Sequence, residues 1–313
     1  MARERKGCRN LAILGCMGCL GLVVVVLVGC AIVLGMAWSE VRNEQFERQE
    51  LQQAVGLPEA PAIADAPLEV PEEFVPEHRQ GTVVLDVDST VVTVRPGRPG
   101  EAIRIEAEYD ARYYQLSERF TEDEESWTYE VGFGRVSDSY LKTALKGLLG
   151  GRRPEIRVYL PPDVPLGLEL QVSQGGADAE LGGLWLTSAE IEFLQGGGAV
   201  DFSKPLKQPM EFLGVEFTQG GGSVQGVAMA SPKRVDVGFS MGGGELDLDG
   251  TWLQDAEISI DQRMGGVEVR LPSDAIIRGL GRYDTETTGD EAPDLPVLRF
   301  STSASMGELH FMR

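Results

Sequence analysis

The chain has 313 residues, 49 of them acidic and 28 basic, with a formal net charge of -21. A chain so acidic repels polyanions, which excludes nucleic acid as a partner. All four cysteines (Cys8, Cys16, Cys19 and Cys30) fall within the first 30 residues. The rest therefore has neither a disulfide framework nor a thiolate metal site, and it must stand on packing alone.

Residues 11–38 contain no charge and include GLVVVVLVGCAIVLGMAW. That run exceeds the roughly 20 apolar residues that a helix needs to cross a bilayer. Arg3, Arg5, Lys6 and Arg9 precede it and only Glu4 opposes them, so residues 1–10 are expected to stay in the cytoplasm while the remainder is exported. Two readings compete with an uncleaved anchor. Gly35-Met36-Ala37 has the small residues of a signal-peptidase site, and LVGC ending at Cys30 has the form of a lipid-modified cysteine. All three place the C-terminal mass outside. Cys16 and Cys19 have CxxC spacing, but within an apolar helix they read as small packing residues.

Residues 39–56 are polar and helix-favouring, and they read as an outward continuation of the membrane helix. Residues 57–78 hold five prolines and six acidic residues without Lys or Arg. Fixed φ and like-charge repulsion make that stretch an extended spacer, so residues 39–78 form a stalk and linker.

From residue 79 the pattern turns to strand. GTVVLDVDSTVVTVRP, EAIRIEAEYD, SWTYEVGFGR and PEIRVYLPPDV alternate apolar and polar positions. One helix is expected within this N-terminal β part (79–160), over residues 139–149, with Leu141, Leu145, Leu148 and Leu149 on one face. Lys142 and Lys146 beside it, with Arg152 and Arg153 just after, make the basic spot of an acidic domain. It reads either as a cap over the end of the domain or as a dock for anionic lipid or a partner.

Residues 161–313 repeat. Glycine clusters occur at Gly175-Gly176, Gly196-Gly197-Gly198, Gly220-Gly221-Gly222, Gly242-Gly243-Gly244 and Gly265-Gly266, with starts 21, 24, 22 and 23 residues apart. A last echo stands at Gly307, 42 residues on, which reads as two periods with GRYDTETTGDEAPDLP as extra material. The residue before each cluster is Gln174, Gln195, Gln219, Met241, Met264 or Met306. The flanks alternate with period two, as in Leu213-Val215-Phe217 and Val235-Val237-Phe239. A unit of about 22 residues cannot bury its apolar face alone, whereas stacked units can. The glycines then mark one corner in every rung, where positive φ or close backbone approach excludes a Cβ. A phosphate-cradling loop would need a following helix and usually a lysine. No helix is expected after these triplets. The expected fold is all-β: a single-stack, β-solenoid-like repeat domain behind one transmembrane helix.

An N-terminal membrane helix, then VTVRPGRPGEAIRIEAE, IRVYLPPDVPLGLEL, MGGVEVRLP and a closing MGELHF, resembles the bacterial toast-rack or adhesin-like β-repeat domain over roughly residues 80 to 313. The resemblance implies an extracytoplasmic, non-enzymatic domain of envelope-stress proteins and surface adhesins, and it carries over no catalytic residue. The Gly triplets are denser than that family pattern implies.

No chemistry emerges from the side chains. His310 alternates with Leu309 and Phe311 on a strand, which puts it on the wet face, and His78 ends the linker. ELDLDG at 245–250 imitates the start of a calcium loop, but position twelve is Ala256 where a bidentate Glu is needed. Glu192, Glu216, Asp236 and Asp261 would have to line up across rungs for a carboxylate-pair hydrolase. Trp185, Trp252 and Tyr283 are the aromatics that a sugar-binding face would use. No cofactor, metal or catalytic residue is expected. The sequence reads first as a non-catalytic, membrane-anchored interaction or scaffold protein, working through an envelope protein or itself, with envelope-stress signalling as the process that the resemblance implies. The second reading is a surface adhesin or carbohydrate-binding module with cell-wall glycan as partner. A polysaccharide-active enzyme is a remote third.

Overall fold

The computed structural model describes residues 31–32, 47–53, 80–123, 126–136, 152–285 and 295–313. The chain divides into two compact units: residues 1–46 with 137–153, and Glu47–Val136 with Pro154–Arg313. Of the first, only 31–32, which are helical, and 152–153 are described. Apart from residues 31–32, the expected membrane span over 11–38 lies outside the described residues, and so does the helix over 139–149. Among those described, no helix is long and apolar enough to cross a membrane.

The second unit is all-β. Its strands are β1 (Glu47–Gln53), β2 (Gln80–Pro96), β3 (Ile103–Tyr109), β4 (Tyr114–Glu122), β5 (Ser126–Arg135), β6 (Glu155–Leu160), β7 (Leu166–Glu180), β8 (Leu186–Asp201), β9 (Phe212–Gln225), β10 (Arg234–Met241), β11 (Gly244–Asp247), β12 (Ala256–Arg270), β13 (Ile276–Arg278) and β14 (Val297–Met312). The central run is parallel, in the order β2-β7-β8-β9-β10-β12-β14. β10 and β11 both lie between β9 and β12. They are the two arms of one rung, interrupted at Gly242-Gly243. At the other end β2 forks. Its first arm (Gln80–Val87) pairs with β5, and its second (Val91–Pro96) pairs with β6. Between the arms, Ser89 takes φ 60.

The register follows the period-two pattern. Leu168, Ala189, Leu213, Val235, Ile258 and Phe300 form one column through the stack. Leu170, Ile191, Val215, Val237 and Ile260 form the next. All of these are buried, and full burial of each large apolar side chain stabilises by roughly 1.5–3 kcal/mol. Beside the corner, Phe193, Phe217 and Phe239 stack face to face with ring centroids 4.8 and 5.0 Å apart. Offset stacking adds about 0.5–1.5 kcal/mol per pair beyond burial.

The Phe column explains the glycine triplets. Gly220 sits at φ 127, and a Cβ there would overlap the carbonyl oxygen of Gly196 in the preceding rung. At Gly221 a Cβ would overlap the Gly243 carbonyl in the following rung, and at Gly222 it would enter the Phe217 ring of its own rung as well as the Gly198 carbonyl. The three positions thus face the rung before, the rung after, and the ring that folds under the corner. Where the ring is missing, the third glycine is missing too: Val172 goes with Ala177, and Gln262 goes with Val267. The first glycines of all rungs fall in one row, ending with Gly265 opposite Gly307.

Four features differ from the sequence reading. Residues 47–53, expected as helical stalk, form a strand antiparallel to β3, because pairing satisfies the open edge of β3 and overrides local helix preference. The 42-residue interval before Gly307 is one rung in space and not two, since β14 pairs directly with β12. Its extra residues carry β13 and a 3-10 turn, η1 (Gly281–Tyr283). A one-turn helix, α1 (Val227–Ala230), follows β9, with Gly226 before it at φ 67. Its buried residues plug the turn between rungs rather than face a ligand. Trp252 is a core residue and not a surface platform: it is 2% exposed, and its Nε1 donates to the Leu248 carbonyl at 3.0 Å.

Candidate functional site

On the first arm of the rungs, the side chains that alternate with the buried columns face solvent in two rows. One runs Asp86, Gln171, Glu192, Glu216, Gly238, Asp261, and the other Val84, Glu169, Glu190, Gly214, Asp236, Ser259. Of the four carboxylates expected to align, Glu192, Glu216 and Asp261 share a row and Asp236 belongs to its neighbour. The rows line a groove of about 620 Å³ holding seven carboxylates and no Lys or Arg in its lining.

Two glycines shape this groove. The Phe212 ring lies over Gly214, and the Glu216 carboxylate lies over Gly238, each in space a Cβ would take. Glu216 is held there by Ser240, whose hydroxyl donates at 3.0 Å, and Gln171 donates to Glu192 at 3.3 Å. Arg234 reaches the rim and pairs with Asp236 at 2.5 Å. The hydrogen bond to Asp236 raises the Arg234 pKa. Strands in a sheet are about 4.8 Å apart, so carboxylates on adjacent rungs repel one another. Asp86, Glu169, Glu190 and Asp261 are exposed. Glu192, Glu216 and Asp236 are half-buried.

A second acidic group lies on the other arm. Asp178, Glu180 and Asp201 surround Arg95, which pairs with Asp178 at 2.6 Å and Glu180 at 3.4 Å. Burial, then Glu180 and Asp178, raise the Asp201 pKa against the pull of Arg95. Composition announced the acidity of the chain, but only the register collects it into these groups.

The remaining residues singled out in the sequence scatter. Arg152 and Arg153 are exposed, while Lys142, Lys146 and His78 lie outside the described residues. His310 is exposed on β14, as its alternation implies. Asp247, in the calcium-like stretch, lies 3.4 Å from Arg270 across to the next rung. No group of three or more His, Cys, Asp or Glu able to hold a metal occurs among the described residues. Trp185 is half-buried, and Tyr283 packs on Phe311 and donates to its carbonyl at 2.9 Å. These aromatics do not form a stacking platform for a sugar.

No protein-family model matches the sequence, and no curated protein sequence matches it. Two solved structures are similar in outline. One is a candidate cell adhesion protein from Clostridium sporogenes, with 10% identity, 85% of this chain and 99% of that chain covered, and a TM-score of 0.35. The other is a candidate adhesin from Parabacteroides merdae, with 10% identity, 87% and 98% covered, and a TM-score of 0.23. Neither likeness is close enough to bear on activity.

Proposed function

We propose that this is a non-catalytic interaction module, a β-solenoid-like stack held outside a bacterial cytoplasmic membrane by its N-terminal helix. The observation that carries the reading is the carboxylate-lined groove on the first arm. In-register stacking turns a two-residue alternation into rows of like charge, and such rows attract a cationic surface over several rungs at once. The partner it fits is an envelope protein that presents a Lys- or Arg-rich segment, and attraction of this kind weakens as salt screens it. A role in envelope-stress signalling would follow if that partner is a membrane sensor.

Crosslinking in cells followed by affinity purification tests this. The full-length protein is compared with a version lacking residues 1–56 and exported by another signal, and with a full-length Glu192→Gln, Glu216→Gln, Asp261→Asn variant. The reading expects one partner with the full-length form, lost from the charge-neutral variant and by 0.5 M salt. Recovery of the same partner by the charge-neutral variant would rule out the groove. Recovery of cell-wall glycan by both the full-length and truncated forms would favour the adhesin alternative.

A further inference from the structure

We infer that the outer edge of β14 is where a second copy of this chain docks, strand against strand. The proposal deepens the interaction reading by naming a partner, but it uses a surface away from the groove, so either can fail without the other.

β14 pairs with β12 along its whole length, whereas β13 covers only Val297–Arg299 on the far side. Gly279 lies against the Phe300 backbone and the Tyr283 hydroxyl donates to the Phe311 carbonyl, so the stretch of that edge without a partner among the described residues is 301–310. An open edge is a template for another strand, and proteins usually blunt it with charge, proline or a bulge. The edges at the opposite end follow that rule. β1 carries Glu47, Arg48 and Glu50, and β4 carries Glu118, Arg119 and Glu122. Residues 300–307 (FSTSASMG) hold no charge at all, in a chain whose net charge is -21. Self-association, which charge opposes elsewhere on the molecule, meets no such barrier here.

The core is also unfinished at this rung. Val200, Val224, Leu246 and Val269 are fully buried down one column, and the next member, Phe311, is only half-buried. Met306, at the corner, is 75% exposed, more than any other large apolar residue described. The core-facing positions change from Leu298 and Phe300 before that corner to Leu309 and Phe311 after it, so the rung turns there. Only a two-fold axis bisecting the corner lays one bent strand antiparallel on its copy without breaking the bend, and two-fold pairs are the commonest closed assembly. With the axis between Ser305 and Met306, Thr302 faces Leu309 of the partner subunit. Glu308 then faces the partner subunit's Ser303, and no residue meets a like charge. The exposed Met306 side chains come together at the centre, where binding energy concentrates.

The test uses the full-length protein in mild detergent. Sedimentation velocity from 1 to 100 μM is expected to show a monomer–dimer equilibrium, and Met306→Lys is expected to weaken it at least tenfold with the melting temperature unchanged. Helix contacts in the membrane segment offer a second route to a dimer, so a site-specific measurement accompanies it. Cys8, Cys16, Cys19 and Cys30 are replaced by Ala, and a single cysteine is introduced by Met306→Cys or by Gln219→Cys, the equivalent corner three rungs away. Oxidation is expected to link the Met306→Cys chains and leave the Gln219→Cys chains monomeric. A monomer at every concentration overturns the proposal. So does a dimer indifferent to Met306→Lys, or equal crosslinking at the two positions.

Discussion

Four glycine-to-alanine substitutions separate the two reasons for a glycine in this stack. Gly266 has ordinary φ, and nothing lies within 4 Å of an added Cβ. Gly183 has φ 83 and equally open space. Gly221 has ordinary φ, but a Cβ would lie 2.0 Å from the Gly243 carbonyl oxygen. Gly220 combines φ 127 with a Cβ position 1.6 Å from the Gly196 oxygen. Gly266→Ala should be neutral or stabilising by up to about 1 kcal/mol, because alanine lowers the entropy of the unfolded chain. Gly183→Ala should cost about 1–2 kcal/mol, the left-handed penalty alone. Gly221→Ala must push two rungs apart by roughly 1 Å to restore normal contact, an overpacking cost of about 1–3 kcal/mol. Gly220→Ala should cost about the sum of the last two, roughly 2–5 kcal/mol, if strain and clash are independent. Urea unfolding followed by the fluorescence of buried Trp127 and Trp252 reads all four. A Gly183→Ala cost equal to that of Gly220→Ala would show that conformation alone matters. A neutral Gly221→Ala would show slack between rungs, and the close-approach account of the triplet would fall.

Three further outcomes are expected. Gln262 is fully buried next to Phe239, and its Oε1 accepts no hydrogen bond among the described residues, although its Nε2 donates to Gly242 at 3.3 Å. Gln262→Leu should therefore raise stability by about 1 kcal/mol, and a loss would mean that the amide oxygen has a partner. Phe217→Ala removes the middle ring of the ladder and should cost about 3–5 kcal/mol; a cost below about 1 kcal/mol would show that the column collapses freely. Asp201 has its pKa raised in the folded chain, chiefly by burial, so the native state keeps a proton that the unfolded chain has already released. Its contribution is favourable at low pH and falls as pH rises through the raised value. Asp201→Asn should unfold at higher urea than the parent at pH 7 and match it below about pH 4. An unchanged gap between the two pH values would discard the electrostatic cause.

Much of this architecture was legible because both of its periods are local. Alternation placed Leu170, Val215 and Ile260 in the core, and the spacing of Gly175, Gly196 and Gly220 fixed the rung length. The same alternation carried the all-β expectation, but neither it nor the family resemblance gave a reason for the density of glycine. That reason is a contact between Phe217 and Gly222, five residues apart in the chain, which shows itself only once the bend is formed. Propensity misled at residues 47–53, where a polar, helix-favouring stretch pairs with β3, because an open edge offers more than local preference does. Trp252 was a candidate for a sugar-binding face, and its burial depends on how the chain folds back over Leu248. The carboxylate groove was half legible. Acidic residues alternate visibly, but which of them become neighbours depends on register, and Asp236 lands one row away from Glu192, Glu216 and Asp261.

The matching corners also make the domain a ruler. Gly196 and Gly220 meet their neighbours in the same way, and so do Phe193 and Phe217. Excising the 24 residues from Gly196 to just before Gly220 would bring equivalent groups together at the seam. Each such block sets a reach of about 4.8 Å along the stack. Length can therefore change in whole steps, while the corner geometry and the packing of each remaining rung stay the same.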